Sequence, residues 1–279
     1  MTLKGIGIRV LMSLMIVLYS TSSIFSSVRM KDNADSTKKM LPTYKPISAE
    51  PTFTNGEELI YVLHYGFING GKATLTLNQI NFGGRDVFHA VAKAKTTGAT
   101  DLIFKVLDVY ESYFDSGTNL PVMSLRNIKE GSYKKYDEVS HNNVEHKLKS
   151  GGIEHKVPEN TLDMLGSLFY IRRIDFSTFK PGDIVSVITW FDDRVFPFYI
   201  VFKGRETVSN GLGKFKCIKF IPIVEPGRIF KESDDMTIWL TDDANKLPVQ
   251  IKFEMLVGSF KCDLESYKNL KYDLTAKVK

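Results

Sequence analysis

The sequence predicts a mainly β protein in which a curved antiparallel sheet, forming an open or half barrel as one domain or two lobes, wraps around a single amphipathic helix. Two observations carry this expectation. About a dozen short β-patterned runs follow one another along 279 residues, with Gly-rich or Asp-rich turns between them. Only one stretch, Pro158 to Phe176, repeats its apolar residues at helical spacing: Met164, Leu165, Leu168 and Ile171. A helix of roughly 13 residues is marginal alone in water, so this stripe must be buried against sheet.

The elements follow in order. Glu58 to Tyr65, Lys72 to Ile80 and Asp86 to Lys95 alternate as strands, separated by Asn69-Gly70-Gly71 and Gly83-Gly84, where glycine accepts the positive φ of a tight turn. Phe88, Ala90, Ala92 and Ala94 share one face of the third, and their small size leaves room for something large opposite. Thr100 to Leu107 reads as a short helical turn behind a Thr cap. Strands are then expected at Asp108 to Phe114, Val122 to Lys129, Ser132 to Val139 and Val144 to Lys149. In the helix, Asn160 can cap the first turn and Asp163 lies near the positive end of the dipole. After the Lys180 to Asp183 turn, a hairpin folds around Asp192-Asp193-Arg194, with arms Ile184 to Phe191 and Phe196 to Lys203. Phe215 to Ile223, Met236 to Thr241, Val249 to Val257 and Phe260 to Ser266 complete the set.

The N-terminus carries Lys4 and Arg9, the apolar run Val10 to Tyr19 and then a Ser/Thr-rich patch, which is the order of a secretory signal peptide over residues 1–27. A flexible, Pro-containing leader is expected over 28–52 and the β-rich domain over 53–279. No later segment approaches the ~18 apolar residues of a spanning helix, so the mature chain is expected to have no membrane span. The formal charge of +5 falls by two on loss of Lys4 and Arg9, too weak a bias for nucleic acid. Ser132 to Tyr136 mixes lysine with tyrosine and reads more simply as a solvated strand face than as an anionic-surface contact. Cys217 and Cys262 could pair only if their strands brought the Cα atoms within about 7 Å.

Motifs for nucleophilic serine, phosphate, dinucleotide and zinc-protease chemistry are absent. His141, His146 and His155, with Glu145 and Glu154, make a poor metal set, because His141 and His146 fall on opposite faces of a strand. The pairs Asp192-Asp193, Asp234-Asp235 and Asp242-Asp243 read as turn residues before they read as calcium ligands. Arg172 and Arg173 complement the helix C-terminus, or form an anion clamp beside Tyr170. Aromatic residues on a curved sheet can line a cavity, so the candidate ligand-binding set is Phe169, Tyr170, Arg172, Trp190, Tyr199 and Trp239. No catalytic residue, metal site or cofactor is expected.

Five segments together resemble a known family: Gly56 to Tyr61, Gly66 to Ala73, Asp163 to Arg172, Pro181 to Asp183, and Ile238 to Asp243 with Leu247-Pro248-Val249. From about Phe53 to Leu264 the chain is similar to the exported bacterial proteins catalogued as domain of unknown function 3108. The resemblance implies a β-rich Gram-negative envelope protein, of the Bacteroidota, without an assigned activity. More distantly it is similar to lipoprotein-carrier half barrels, though with little helix to act as a lid. The expected function is non-enzymatic binding of a lipid or acyl chain in the periplasm or at the periphery of the outer membrane. An assembly factor contacting another envelope protein is the alternative, and an envelope hydrolase a third.

Overall fold

The computed structural model describes residues 47–223, 236–254 and 259–278. The expected signal peptide, most of the expected leader and Asp234-Asp235 lie outside these residues.

Two successive meanders build one 15-stranded sheet. The first comprises β1 (Glu57–Tyr65), β2 (Ile68–Phe82), β3 (Arg85–Thr96), β4 (Leu107–Asp115), β5 (Pro121–Glu130), β6 (Tyr133–Asn142), β7 (Lys147–Ser150) and β8 (Ile153–Lys156). The second comprises β9 (Ile184–Phe191), β10 (Arg194–Asn210), β11 (Gly213–Pro222), β12 (Met236–Thr241), β13 (Pro248–Glu254) and β14 (Ser259–Lys268). Each strand pairs antiparallel with its sequence neighbour, and β1 pairs with β14 to fuse the two meanders. The short β15 (Lys277–Val278) pairs with β11. The sheet is open, with β8 and β9 at its edges. The lobes that the sequence left undecided therefore share one continuous sheet.

Alternation decides which face is inside: Leu59, Tyr61 and Leu63 of β1 are buried while Ile60 and Val62 between them are half-buried. The sheet curls at register shifts, one of them between Phe202 and Gly204 of β10. Gly204 has a φ of +119°, which a side chain would resist, and this bend carries β10 on to Asn210, well past the expected end at Lys203. The turn at Asp192-Asp193 has both φ values positive, at 52° and 59°, the geometry that matches a two-residue hairpin to strand twist. β7 starts at Lys147 and not at Val144, because Asn142 to His146 turn instead: Asn142 Oδ1 accepts from the Glu145 N–H at 3.1 Å, and His146 has a φ of +53°. The short β8 has no alternating apolar pattern to announce it.

Two helices occur among the described residues, α1 (Gly98–Ile103) and α2 (Met164–Arg172). α1 begins behind Thr97 and not behind the expected Thr100. α2 is shorter than expected, and its cap is Asp163: Oδ1 accepts from the Gly166 N–H at 2.8 Å, whereas the expected cap, Asn160, is left-handed at φ +58°. Immediately before the helix, Leu162 bridges to Thr189 in parallel, its N–H bonding Ile188 O and its carbonyl accepting from the Trp190 N–H, both at 2.8 Å. The connection from β8 to β9 thus attaches to the β9 edge and sends α2 through the concave interior.

That helix divides the core. Leu165 and Phe169 join the larger cluster with β1–β4, β13 and β14, while Tyr170 and Ile171 join a second with β9–β11. At its C-terminus, residues 47–52, assigned above to the leader, are held in place: Ile47 bridges Ile174, and Thr52 Oγ1 donates to Arg172 O at 3.1 Å. Cys217 and Cys262 are buried free thiols in different clusters.

Candidate cavity inside the curved sheet

The antiparallel path sends alternate turns to opposite ends of the sheet. The end where β1 finishes at Tyr65, here the upper end, also carries the β3–β4 and β5–β6 connections. The lower end receives the C-terminus of α2, through Asn245 of the β12–β13 turn. Near the lower end the interior is filled. Phe53, Phe114 and Phe169 pack against one another with ring centroids 5.0 to 6.1 Å apart.

Higher up the interior is not filled. A cavity of about 140 Å³ lies between the sheet and α2. On the sheet side Ala73, Ala92 and Ala94 leave the space, since each ends at Cβ. Opposite them stand Met164, Leu165, Leu168 and Ile171, the full apolar stripe of the helix. Phe198, Ile238 and Ile251 close the side formed by the second meander. The alanine face of β3 therefore opens a cavity beneath the helix and is not filled by it.

One wall is polar. Asp108, Tyr110, Ser112 and Phe114 alternate inward along β4, so three polar groups face a mostly apolar interior. Asp108 Oδ1 accepts from the Lys129 N–H at 3.0 Å, while Oδ2 is buried with no hydrogen-bond partner. Burial, assisted by the neighbouring Glu130 carboxylate and opposed by the Lys129 N–H, pushes the Asp108 pKa up to about 7. Burial likewise raises the Tyr110 phenol well above its ordinary value. Ser112 Oγ donates to Asp163 Oδ2 at 2.5 Å, tying β4 to the cap of α2. Burial raises Asp163 to about 6 even though the Gly166 N–H and the Ser112 hydroxyl favour its charged form.

A second, smaller pocket of about 50 Å³ lies where the β9–β10 hairpin meets β5 and β6. Arg126 donates from Nε to Asp137 Oδ2 at 2.6 Å and from Nη2 to Asp192 Oδ1 at 3.0 Å, and Lys135 also pairs with Asp192. Burial acts to raise the Asp192 pKa, but the hydrogen bonds from Lys135 and Arg126 outweigh it and hold the carboxyl below its ordinary value. Ser150 Oγ donates to Asp193 Oδ1 at 2.6 Å. Both turn aspartates thus do more than form a turn: they fasten the β9 edge across the gap in the sheet. His141, weighed above as a metal ligand, is half-buried with its Nε2 shielded from solvent, and burial pushes its pKa down to about 4. No group of three or more His, Cys, Asp or Glu suited to a metal occurs among the described residues.

The structure does not bring the six candidate aromatic and arginine residues together, and none of them lines the larger cavity. Phe169 is fully buried in the aromatic packing near the lower end, and Tyr170 is fully buried on the opposite side of the helix. Arg172 is no free clamp: its guanidinium grips Glu57 through two bonds, at 2.6 and 2.9 Å, and both side chains are at most 1% exposed. Arg173 is equally buried, with its guanidinium taken by the carbonyls of Ser48, Ala49 and Ser116. Trp190 borders the smaller pocket, packed on Val139 and Leu148. Tyr199 alternates with Phe198 and Ile200 and so lies on the other face of β10. Trp239 sits in a separate cluster with Phe215 and Val249, its Nε1–H donating to Glu206 at 2.7 Å. The larger cavity is lined instead by small residues on β3 and by polar residues at inward positions of β4.

Similarity to known proteins stops at fold and family. A β-barrel-like protein of domain of unknown function DUF1849 from Brucella abortus superposes with a TM-score of 0.52 at 10% identity, over 80% of this chain and all of that one, which shows a shared fold. Weaker matches are a lipoprotein candidate from Parabacteroides distasonis (TM-score 0.33, 11% identity, 80% of this chain and 99% of that one) and an exported-protein candidate with a YmcC-like fold from Bacteroides fragilis (TM-score 0.34, 12% identity, 80% of this chain and all of that one). No functionally curated protein matches the sequence. Residues 60–265 match the profile described as protein of unknown function (DUF3108), and the chain belongs to that family.

Proposed function

We propose that this protein is a non-catalytic binding protein of the cell envelope that holds an apolar segment of an amphipathic ligand, such as an acyl chain, between α2 and the alanine face of β2 and β3. One observation carries the reading: the helix's apolar stripe faces an unfilled cavity where a packed core would be expected. The volume of about 140 Å³ is close to that of an engineered apolar cavity of about 150 Å³ that binds benzene. It therefore suits the end of a chain and not a whole lipid. The signal-peptide-like N-terminus, Lys4 and Arg9 ahead of the Val10 to Tyr19 run, supports an exported, periplasmic location.

The test is native mass spectrometry of protein purified from its own envelope, with lipid analysis of the organic extract. A stoichiometric acyl species on the wild type, lost in Ala94→Trp while that variant keeps its circular dichroism spectrum, is the expected result. Equal retention by the variant, or a bare polypeptide that also ignores a fluorescent fatty acid, overturns the reading.

A further inference from the structure

Among the described residues, several exposed apolar side chains near the upper end fall on adjoining turns. Phe67 in the β1–β2 turn and Ile68 at the start of β2 are 106% and 60% exposed, Leu102 and Ile103 are 89% and 73% exposed on α1, and Tyr133 is 48% exposed at the start of β6. The turns are neighbours, since the Thr97 N–H donates to Gly70 O at 3.1 Å and the Gly131 N–H to Lys105 O at 2.8 Å. They make one continuous ridge. Among the described residues of these turns the exposed charges are Lys95, Lys105, Lys129 and Lys134, and Glu254, exposed at the upper end of β13, is paired with Lys252. Neither acid within the ridge is exposed, because Asp101 is half-buried and accepts the Thr96 hydroxyl at 2.7 Å, and Glu130 is 7% exposed.

We infer that this ridge docks the protein onto an anionic phospholipid bilayer, with Phe67, Ile68, Leu102 and Ile103 entering the headgroup layer and the lysines facing the lipid phosphates. Apolar tips on separate turns ringed by cations complement a flat, negatively charged, penetrable surface. A folded protein partner would instead call for a dehydrated patch that packs closely as a whole. Leaving such side chains in water gains nothing for the fold, and none of them packs in the interior. Ala94, Asp108 and Met236, on the cavity wall, each lie within two residues of the upper end of their strands, so docking sets the bilayer beside that half of the interior. The inference does not depend on the cavity being occupied.

The experiment uses the whole chain carrying either Phe67→Trp or Val144→Trp, the latter 90% exposed in the β6–β7 turn at the lower end. Vesicles of phosphatidylglycerol and phosphatidylethanolamine, with and without brominated acyl chains, are compared with phosphatidylcholine. The expected result is a blue shift and bromine quenching of the added emission for Phe67→Trp alone, and only with the anionic vesicles. The pair Phe67→Asp and Leu102→Asp should weaken vesicle binding about tenfold or more, and added salt should weaken it further. Equal quenching at both positions, which would report attachment through the shared N-terminal apolar run, overturns the inference. So does unchanged affinity of the double variant, or an unmoved Phe67→Trp emission, including the case where the ridge captures a protein.

Discussion

Replacing Glu57 by Gln should be among the most destabilising single-atom changes available in this chain. Glu57 and Arg172 are 1% and 0% exposed and joined by two bonds at 2.6 and 2.9 Å, so the substitution leaves a guanidinium in the interior without its counter-charge. Breaking such a pair from one side costs about 3–5 kcal/mol, where a surface pair would cost about 0–1. At about 2–4 °C per kcal/mol for a domain of this size, the melting temperature should fall by about 6–20 °C. Arg172→Met should cost a similar amount, because it strands the carboxylate and also removes the donors that reach Asn245 O at 3.2 and 3.3 Å. The double variant should cost only about 1–3 kcal/mol, the price of an unsatisfied carbonyl, since no buried charge remains. Urea titrations followed by tryptophan emission and circular dichroism would yield all three values. Two singles below about 1 kcal/mol each that simply add in the double would refute the buried, coupled pair.

Two further expectations concern the cavity walls. Asp108 keeps its proton up to about pH 7 in the folded state, against about 3.9 for an ordinary aspartate, so the native state binds more protons in that window and stability falls as pH rises through it. Asp108→Asn should therefore gain on the wild type between pH 5 and pH 8, reaching an advantage of about 1–3 kcal/mol at pH 8 by urea midpoints; an advantage that shrinks with rising pH would contradict this. Phe169→Ala should cost about 3–5 kcal/mol and Leu168→Ala about 1–2, because the phenylalanine is fully packed while the leucine partly faces empty space. A reversed ranking in thermal melts would mean that the helix is rotated from its described position.

Strand parity made much of the fold legible. Alternation fixed the inward faces of β1 and β3, and Met236–Thr241 is the strand expected. The stops were harder. Gly204 reads as a terminator, yet in a bulge it bends a strand without ending it, and Asp163 outcompeted Asn160 as the cap because Ser112, 51 residues away, satisfies its second oxygen. The same dependence on distant partners governs the candidate site. Large aromatics announce buried surface, but whether that surface meets another side chain or a gap depends on partners distant in sequence: Phe169 meets Phe53, while Leu168 faces the cavity. Arg172 next to Tyr170 has the composition of an anion clamp, and only the long-range pairing with Glu57 reveals that the position is already taken.

Along the path from β8 to β9 every ladder joins consecutive strands except one, β1 with β14, where Glu58 opposes Lys268. That arrangement orders the assembly of the chain in time. Each meander can zip from hairpin to hairpin with small loop-closure costs, whereas the fusion ladder waits on the closure of some two hundred residues. Until it forms, β1 and β14 each present an unpaired backbone edge, the species most exposed to association with another unfinished copy. Substitutions at this ladder should therefore appear as slower folding and lower soluble yield, while those within either meander should appear mainly as faster unfolding.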